Sequence, residues 1–230
     1  MSTTEHKRPV RPYGGVSAEQ RVAERRERLL DAALEEFGTR GALRTGVKDV
    51  CRRAGLTDRY FYESFRDSGE LFTVVFDRAT ARLFDVVVNA LGETPVTVEA
   101  QARAVIEAYV RALADDPRVA RIVFVEAPSA GPEVELHMRE TLRRFAALVV
   151  VSARPYLPSN MADEVVRFGA LALVGAIERL MIEWQHGELD LSIEQIIDYL
   201  VGLLLATRSI ARATTAREPG KPPTRGAKSP

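Results

Sequence analysis

The chain has one cysteine, one tryptophan, three histidines and no net charge, with 32 basic side chains against 32 acidic ones. A lone cysteine, Cys51, cannot close an internal disulfide, so the core must hold the fold, and a reducing compartment is expected. Long apolar runs are missing as well. The longest uncharged one, Phe168 to Ile177, falls well short of the roughly 18 residues that a membrane span needs. The first residues are polar and basic, unlike a secretory leader. His6, His137 and His186 are scattered, and Glu183 with His186 on one helix face supplies too few donors for zinc. No nucleophile elbow, phosphate-cradling glycine loop or pair of catalytic carboxylates stands out. These absences point to a cytoplasmic protein with no membrane partner, no cofactor, no metal and no enzymatic reaction.

Apolar side chains make up 46% of the sequence, which marks a globular chain, and 230 residues can bury a substantial core. The balanced charge is unevenly spread. Residues 1–70 carry a net +2, residues 71–207 a net −7 and residues 208–230 a net +5. A basic end beside an acidic middle suggests two tasks, one of them facing a polyanion.

Periodicity is helical throughout, and no segment alternates as a strand. Ser17-Ala18-Glu19-Gln20 is a capping box, followed by a stripe of Val22, Leu29, Leu30, Ala33, Leu34 and Phe37 that ends at Gly38 or Gly41. Thr45 is placed to cap a second helix carrying Val47, Val50, Cys51 and Ala54, with Gly55 as its left-handed stop. Thr57 is placed to cap a third, and Leu56 with Phe61 makes a hydrophobic staple. A fourth helix runs from near Ser68 to Gly92. Beyond Pro95, longer helices are expected at about 97–114, 117–127, 132–153, 160–186 and 192–213, separated by proline- and glycine-containing breaks.

Two short helices joined by a three-residue turn, with a helix before them, are the parts of a helix-turn-helix DNA reader. Phe61 and Phe65 are expected to face inward, leaving Asp58, Arg59, Tyr62, Glu63 and Arg66 outward. Arginine suits guanine, a carboxylate accepts from cytosine, and aromatics meet thymine methyls or the backbone.

Residues 28–71 resemble the N-terminal domain of TetR-type transcriptional regulators, through Ala33, Phe37, Gly41, Val50, Ala54-Gly55, Tyr62 and Phe65 in order. The resemblance implies an all-α fold with an N-terminal three-helix helix-turn-helix domain and a larger helical domain for ligand binding and dimerisation. It implies a DNA-binding domain at 17–67 and a ligand-binding and dimerisation domain at 68–213, while residues 1–16, rich in Pro, Gly and Arg, read as a flexible basic arm and residues 214–230, rich in Pro, Gly, Lys and Arg, as a disordered basic tail. It places Thr45 and Gly46 against backbone phosphate, Lys48 within reach of the groove, and Thr57, Asp58, Arg59, Tyr60, Tyr62, Glu63 and Ser64 on the recognition helix, with Arg66 beside it. The chain departs from the family at Tyr60, where a small residue is usual, at Gly46, which lacks a hydroxyl, and at Ser68-Gly69, where a basic residue is general. Cys51 replaces an alanine and is expected to be a small core residue.

The implied function is that of a repressor, released from a palindromic operator on double-stranded DNA by a small apolar or amphipathic ligand. The other reading is a helical small-molecule binding or modifying protein that no longer reads DNA. Candidate ligand contacts are Phe76, Phe84, Tyr109, Phe124, Glu126, His137, Met138 and Trp184, within helices of residues 71–186. Helix four is expected to be the only stiff link between the two regions. Small residues Gly169, Ala172, Gly175 and Ala176, with the stripe Ile193, Ile196, Ile197, Leu200, Val201 and Leu204, are expected to form a homodimer interface, or else an internal core.

Overall fold

A computed structural model describes residues 17–92 and 97–216; the expected arm, Pro95 and residues 217–230 lie outside the described residues. Among the described residues all regular structure is helical. Helix α1 spans Ala18–Arg40 and opens with the expected box, Ser17 Oγ accepting from Gln20 N and Gln20 Oε1 accepting from Ser17 N. Leu29, Leu30, Ala33 and Phe37 are buried, whereas Val22 is exposed because the first turns of α1 reach past the elements it packs on.

Helices α2 (Val47–Ala54) and α3 (Asp58–Tyr62) follow, joined through Gly55 at φ 63°, ψ 37°. That left-handed geometry admits glycine at no steric cost. Thr45 does not cap α2. It is buried, and its hydroxyl donates to the Gly41 carbonyl at 2.9 Å. Gly46 is the cap residue instead, its N–H held by Asp49 Oδ2 at 3.0 Å. Thr57 occupies the cap position of α3 but makes no side-chain cap bond.

Helix α4 (Ser68–Gly92) serves two cores. Its first turns pack Leu71, Phe72, Val75 and Phe76 with Leu29, Phe37, Phe61 and Phe65, and that cluster continues into Ile122, Ala127 and Val134. Farther along, Ala79 and Leu83 join a second cluster with α5 (Val98–Asp115) and α9 (Ile193–Ala216). Helices α7 (Pro132–Ala153) and α8 (Asp163–Gln185) complete the larger domain. Helix α8 starts at Asp163, not near 160, because Met161 is buried and its N–H closes a turn onto Pro158. Helix α9 runs to Ala216, beyond the expected end at 213.

One expected helix is not a single helix. Helix α6 covers only Pro117–Arg121, then loosens into a π-turn at Ile122–Glu126 and tightens again at Ala127–Ser129. Pro128 has no N–H to continue a regular ladder, and Ile122, Phe124 and Ala127 are all buried. The wider turn lets those side chains reach two different cores.

The expected dimer stripe on α9 is also corrected. Ile196, Ile197, Leu200 and Val201 are buried within this chain, in the cluster that includes α5 residues Ile106, Val110 and Leu113. The apolar surface left outside runs along α8 through Phe168, Leu171 and Ala172 and along α9 through Tyr199, Gly202 and Ala206.

Candidate nucleic-acid interface and ligand cavity

The geometry of the reading head follows from two buried phenylalanines. Phe61 and Phe65 are 0% and 2% exposed, and this forces their neighbours on α3 outward. Asp58, Arg59, Tyr62, Glu63 and Arg66 are exposed as expected, while Tyr60 and Ser64 are half-buried. Lys48 on α2 and Gly46 before it are exposed, whereas the buried Thr45 hydroxyl donates to the Gly41 carbonyl.

The cations of this face are not equivalent. Arg59 Nε pairs with Glu63 at 3.1 Å, Arg52 with Asp49 at 2.6 Å and Arg66 with Asp67 at 3.0 Å. Exposed pairs of this kind are worth about 0–1 kcal/mol, so a phosphate or base can replace the carboxylate. Lys48 and Arg44 are exposed and make no ion pair among the described residues. Arg44 escaped sequence reading because it precedes α2 in a short turn, not in the helical pattern. The start of α4 is already occupied. Asp67 Oδ1 accepts from Glu70 N, and this bond, followed by Arg66, holds the Asp67 carboxyl below its ordinary range. That carboxylate answers one of the free N–H groups at the start of the helix.

Tyr60, the large ring where the family usually has a small residue, is held by α1. The Arg25 guanidinium lies 4.5 Å from the Tyr60 ring centre and 3.7 Å from Glu63. Arg28 Nη2 donates to the Ala54 carbonyl at 2.5 Å, fixing the end of α2. Beneath them Glu36, 4% exposed, accepts from Arg53 at 2.6 Å and from Arg40 at 3.0 Å. The Arg53 hydrogen bond, against the cost of burial and with help from Arg40, holds the Glu36 carboxyl below its ordinary range. Cys51 is buried, and burial, followed by the nearby Asp58, pushes its thiol up. A thiol held protonated is a core residue, not a nucleophile.

The larger domain encloses a cavity of about 210 Å³ between α4, α5, α7, α8 and α9. Phe76, Tyr109, Phe124 and Met138 line it; the other four candidate contacts do not. Phe84 lies behind Phe145, ring centres 5.4 Å apart, with the Arg144 guanidinium over it. His137 pairs with Asp77 at 2.8 Å, Trp184 packs on the second cluster outside the wall, and Glu126 faces the reading head. Two charged residues in the wall, Glu178 and Arg208, were not anticipated. Each interrupts an otherwise apolar helical stripe, the one signal by which the sequence shows them. Burial pushes the Glu178 carboxyl up, and burial followed by Glu178 pushes up the Tyr109 phenol.

Helix α4 is not the only link between cavity and head. Val123 and Phe124 of the π-turn line the cavity, while the residues flanking them grip α1. Glu126 Oε2 accepts from Ala42 N at 2.8 Å, Arg121 donates to the Thr39 carbonyl at 3.1 Å, and Arg118 pairs with Glu35 at 2.7 Å. A Cβ on Gly38 would sit 2.4 Å from Arg118 Cβ, so α1 and α6 meet at a distance that only glycine permits.

Residues 29–75 match the model for bacterial regulatory proteins of the tetR family. The chain is 30% identical over 140 residues to the HTH-type transcriptional activator FasR of Mycolicibacterium smegmatis; the match spans 60% of this chain and 64% of FasR, just under two thirds of that relative. The fold is shared with the fatty acid degradation regulator FadR of Bacillus halodurans, at TM-score 0.67 and 18% identity over 79% of this chain and 94% of that one. It is shared too with FadR of Bacillus subtilis, solved in complex with stearoyl-CoA, at TM-score 0.64 and 15% identity over 79% and 98% of the two chains. With the helix-turn-helix residues in place and the family match lying over them, residues 29–75 form an N-terminal domain of the kind found in TetR-type transcriptional regulators.

Proposed function

We propose that this regulator binds a palindromic operator as a homodimer and lets go when an apolar or amphipathic ligand enters the cavity. The observation that carries this reading is the shared wall: one continuous element, Arg118 to Glu126, lines the cavity with Val123 and Phe124 and holds the reading head through Glu35, Thr39 and Ala42. A ligand that reshapes the wall reorients the head, and a head at the wrong spacing misses its half-site. The ligand class follows from the lining, which is almost wholly apolar, and from the FadR proteins above, one a fatty acid degradation regulator and the other solved with stearoyl-CoA. An acyl chain fits both. The exposed apolar ridge of Phe168, Leu171, Tyr199 and Ile210 supports pairing through α8 and α9. Among the described residues no helix is long and apolar enough to cross a membrane, and we place the protein with its DNA in the cytoplasm.

Repression follows if the operator overlaps the promoter. Activation is the second reading, favoured by the similarity to FasR, a transcriptional activator. A reporter driven from the operator, in cells with and without the protein, separates them by the sign of the change.

The contact residues are tested on DNA. Arg59→Ala is expected to cost about 1–3 kcal/mol on the operator and to relax preference at one base pair. Arg44→Ala is expected to weaken operator and random duplex alike and to lower the salt slope by about one unit. Fluorescence anisotropy across salt concentrations measures both. Equal losses on operator and random DNA for Arg59→Ala would reassign that side chain to phosphate, and salt-independent binding would remove DNA reading altogether.

A further inference from the structure

The cavity has a direction. Phe76, Tyr109, Phe124, Met138 and Glu178 line the end nearest the reading head, while Leu91, Val98, Ala153, Val166 and Arg208 line the opposite end. At 1.5 Å per residue, Val98 to Tyr109 on α5 and Val166 to Glu178 on α8 each span about 16–18 Å. The wall therefore follows a medium to long alkyl chain lying parallel to the helices, with one cation at one end and one carboxyl at the other.

The cation is incompletely satisfied. Arg208 Nε is buried with no hydrogen-bond partner, and Nη1 lies 3.7 Å from Glu99 Oε1, too far for a hydrogen bond. A buried guanidinium N–H without an acceptor is costly, and guanidinium recognises carboxylate and phosphate oxygens through paired N–H groups. At the far end Glu178 makes no hydrogen bond or ion pair among the described residues, and its neighbour is the Tyr109 ring. A second anion at that end would face a carboxyl group and no cation of the lining.

Resting on the ligand reading above, we propose that Arg208 is the head-group site for a singly headed anionic amphiphile. The anion accepts from Arg208 at the end remote from DNA, and the alkyl tail runs to Phe124 and Glu178 beside the π-turn. Chain length is then read where the wall touches the reading head, and the head group sets affinity away from it. Glu99 is the resident competitor for the guanidinium, and it is exposed enough to swing away.

The test uses three probes of one chain length, dodecanoate, dodecanoyl-CoA and dodecanol, titrated calorimetrically into the full chain and two variants. Wild type is expected to bind an anionic probe about 10- to 100-fold more tightly than the alcohol. Arg208→Gln is expected to abolish that difference by weakening the anionic probe far more than dodecanol, and Glu99→Gln to tighten the anionic probe. Dodecanoate as the favoured anion names a free carboxylate, and dodecanoyl-CoA alone names the phosphates of a thioester carrier; either supports the site. Dodecanedioate, which places a second carboxylate at Glu178, is expected to bind more weakly than dodecanoate. Anionic binding that survives Arg208→Gln, in a variant whose thermal melt matches wild type, overturns the head-group assignment and leaves the ligand class standing. Failure of all three probes to bind wild type overturns the ligand class and the site with it.

Discussion

The reading head and the larger domain are built by the same helical chemistry and are filled in opposite ways. In the head, Phe37, Phe61 and Phe65 are almost fully enclosed, and its buried polar groups are answered, Glu36 by Arg53 and Arg40, Thr45 by Gly41. In the larger domain the centre is a cavity of about 210 Å³, and its charged groups, Glu178 and the Nε of Arg208, wait without hydrogen-bond partners. That exceeds the roughly 150 Å³ that already admits a benzene-sized guest. A filled, satisfied module moves as a rigid body and keeps its DNA-facing side chains in register. A hollow one has room to change shape. On the function proposed above, the filled region reads DNA and the hollow one senses the ligand, with α4 and the π-turn between them.

The widest expected contrast is in packing. Phe61→Ala empties a site with no adjacent void and is expected to cost about 3–5 kcal/mol. Phe145→Ala in the cavity wall removes the same ring from a side chain that already faces open space, so its loss is expected to be about half as large. Denaturant unfolding of both variants measures the difference. Equal losses would mean that the larger domain is as well filled as the head.

Next comes the junction. A methyl at Gly38 meets Arg118 Cβ and, at 2.8 Å, Arg118 Cα, a backbone atom that cannot rotate aside. Overpacking of this sort costs about 1–3 kcal/mol, and the better helix propensity of alanine returns part of it, for an expected net loss of about 1–2 kcal/mol. The more telling readout is coupling. With α6 pushed off α1, Gly38→Ala should bind dodecanoate normally yet release operator less completely. Undiminished release would leave α4 as the sole transmitter.

Legibility differed between the two regions for the same physical reason. The head could be read because short helices announce their ends: Ser17 and Gln20, Gly55, and the alternation of buried Phe61 and Phe65 with exposed Tyr62 and Arg66 are local patterns. Thr45 misled because a hydroxyl before a helix looks like a cap, whereas the short turn at Ala42–Arg44 folds it back onto the Gly41 carbonyl four residues earlier. In the larger domain, nothing local distinguishes Phe124, which lines the cavity, from Phe84, which does not. Nor could Glu126 be separated from the cavity wall, since its partner Ala42 lies 84 residues away in the chain. The α9 stripe was visible as a pattern, but whether α5 or a second subunit covers it is decided by packing alone.

The smallest effect separates the regions by two carboxyls shifted in opposite directions. Glu36 is depressed from the ordinary glutamate value of 4.5 by Arg53, so its stabilisation is present above that value and is lost as pH falls through its folded pKa. Glu178 is raised from the same 4.5 by burial, so its penalty is absent in acid, grows as pH rises from the ordinary value towards its folded pKa, and is full above it. Glutamine removes the ionisation in both. Glu36→Gln is expected to lose about 1–2 kcal/mol at neutral pH, since Arg53 and Arg40 keep access to water, and the loss should vanish towards acid. Glu178→Gln is expected to raise the melting temperature slightly at neutral pH and to leave it unchanged in acid. Thermal melts of both variants across pH check the signs, and an anionic probe sharpens them. An occupied cavity excludes water from Glu178, so dodecanoate should hold its proton to higher pH and take up protons on binding, which calorimetry in buffers of different ionisation enthalpy detects. Proton release, or a Glu178→Gln variant less stable at neutral pH than wild type, would show that the Glu178 carboxylate is answered by a group on another subunit, and the larger domain would then be satisfied only as a dimer.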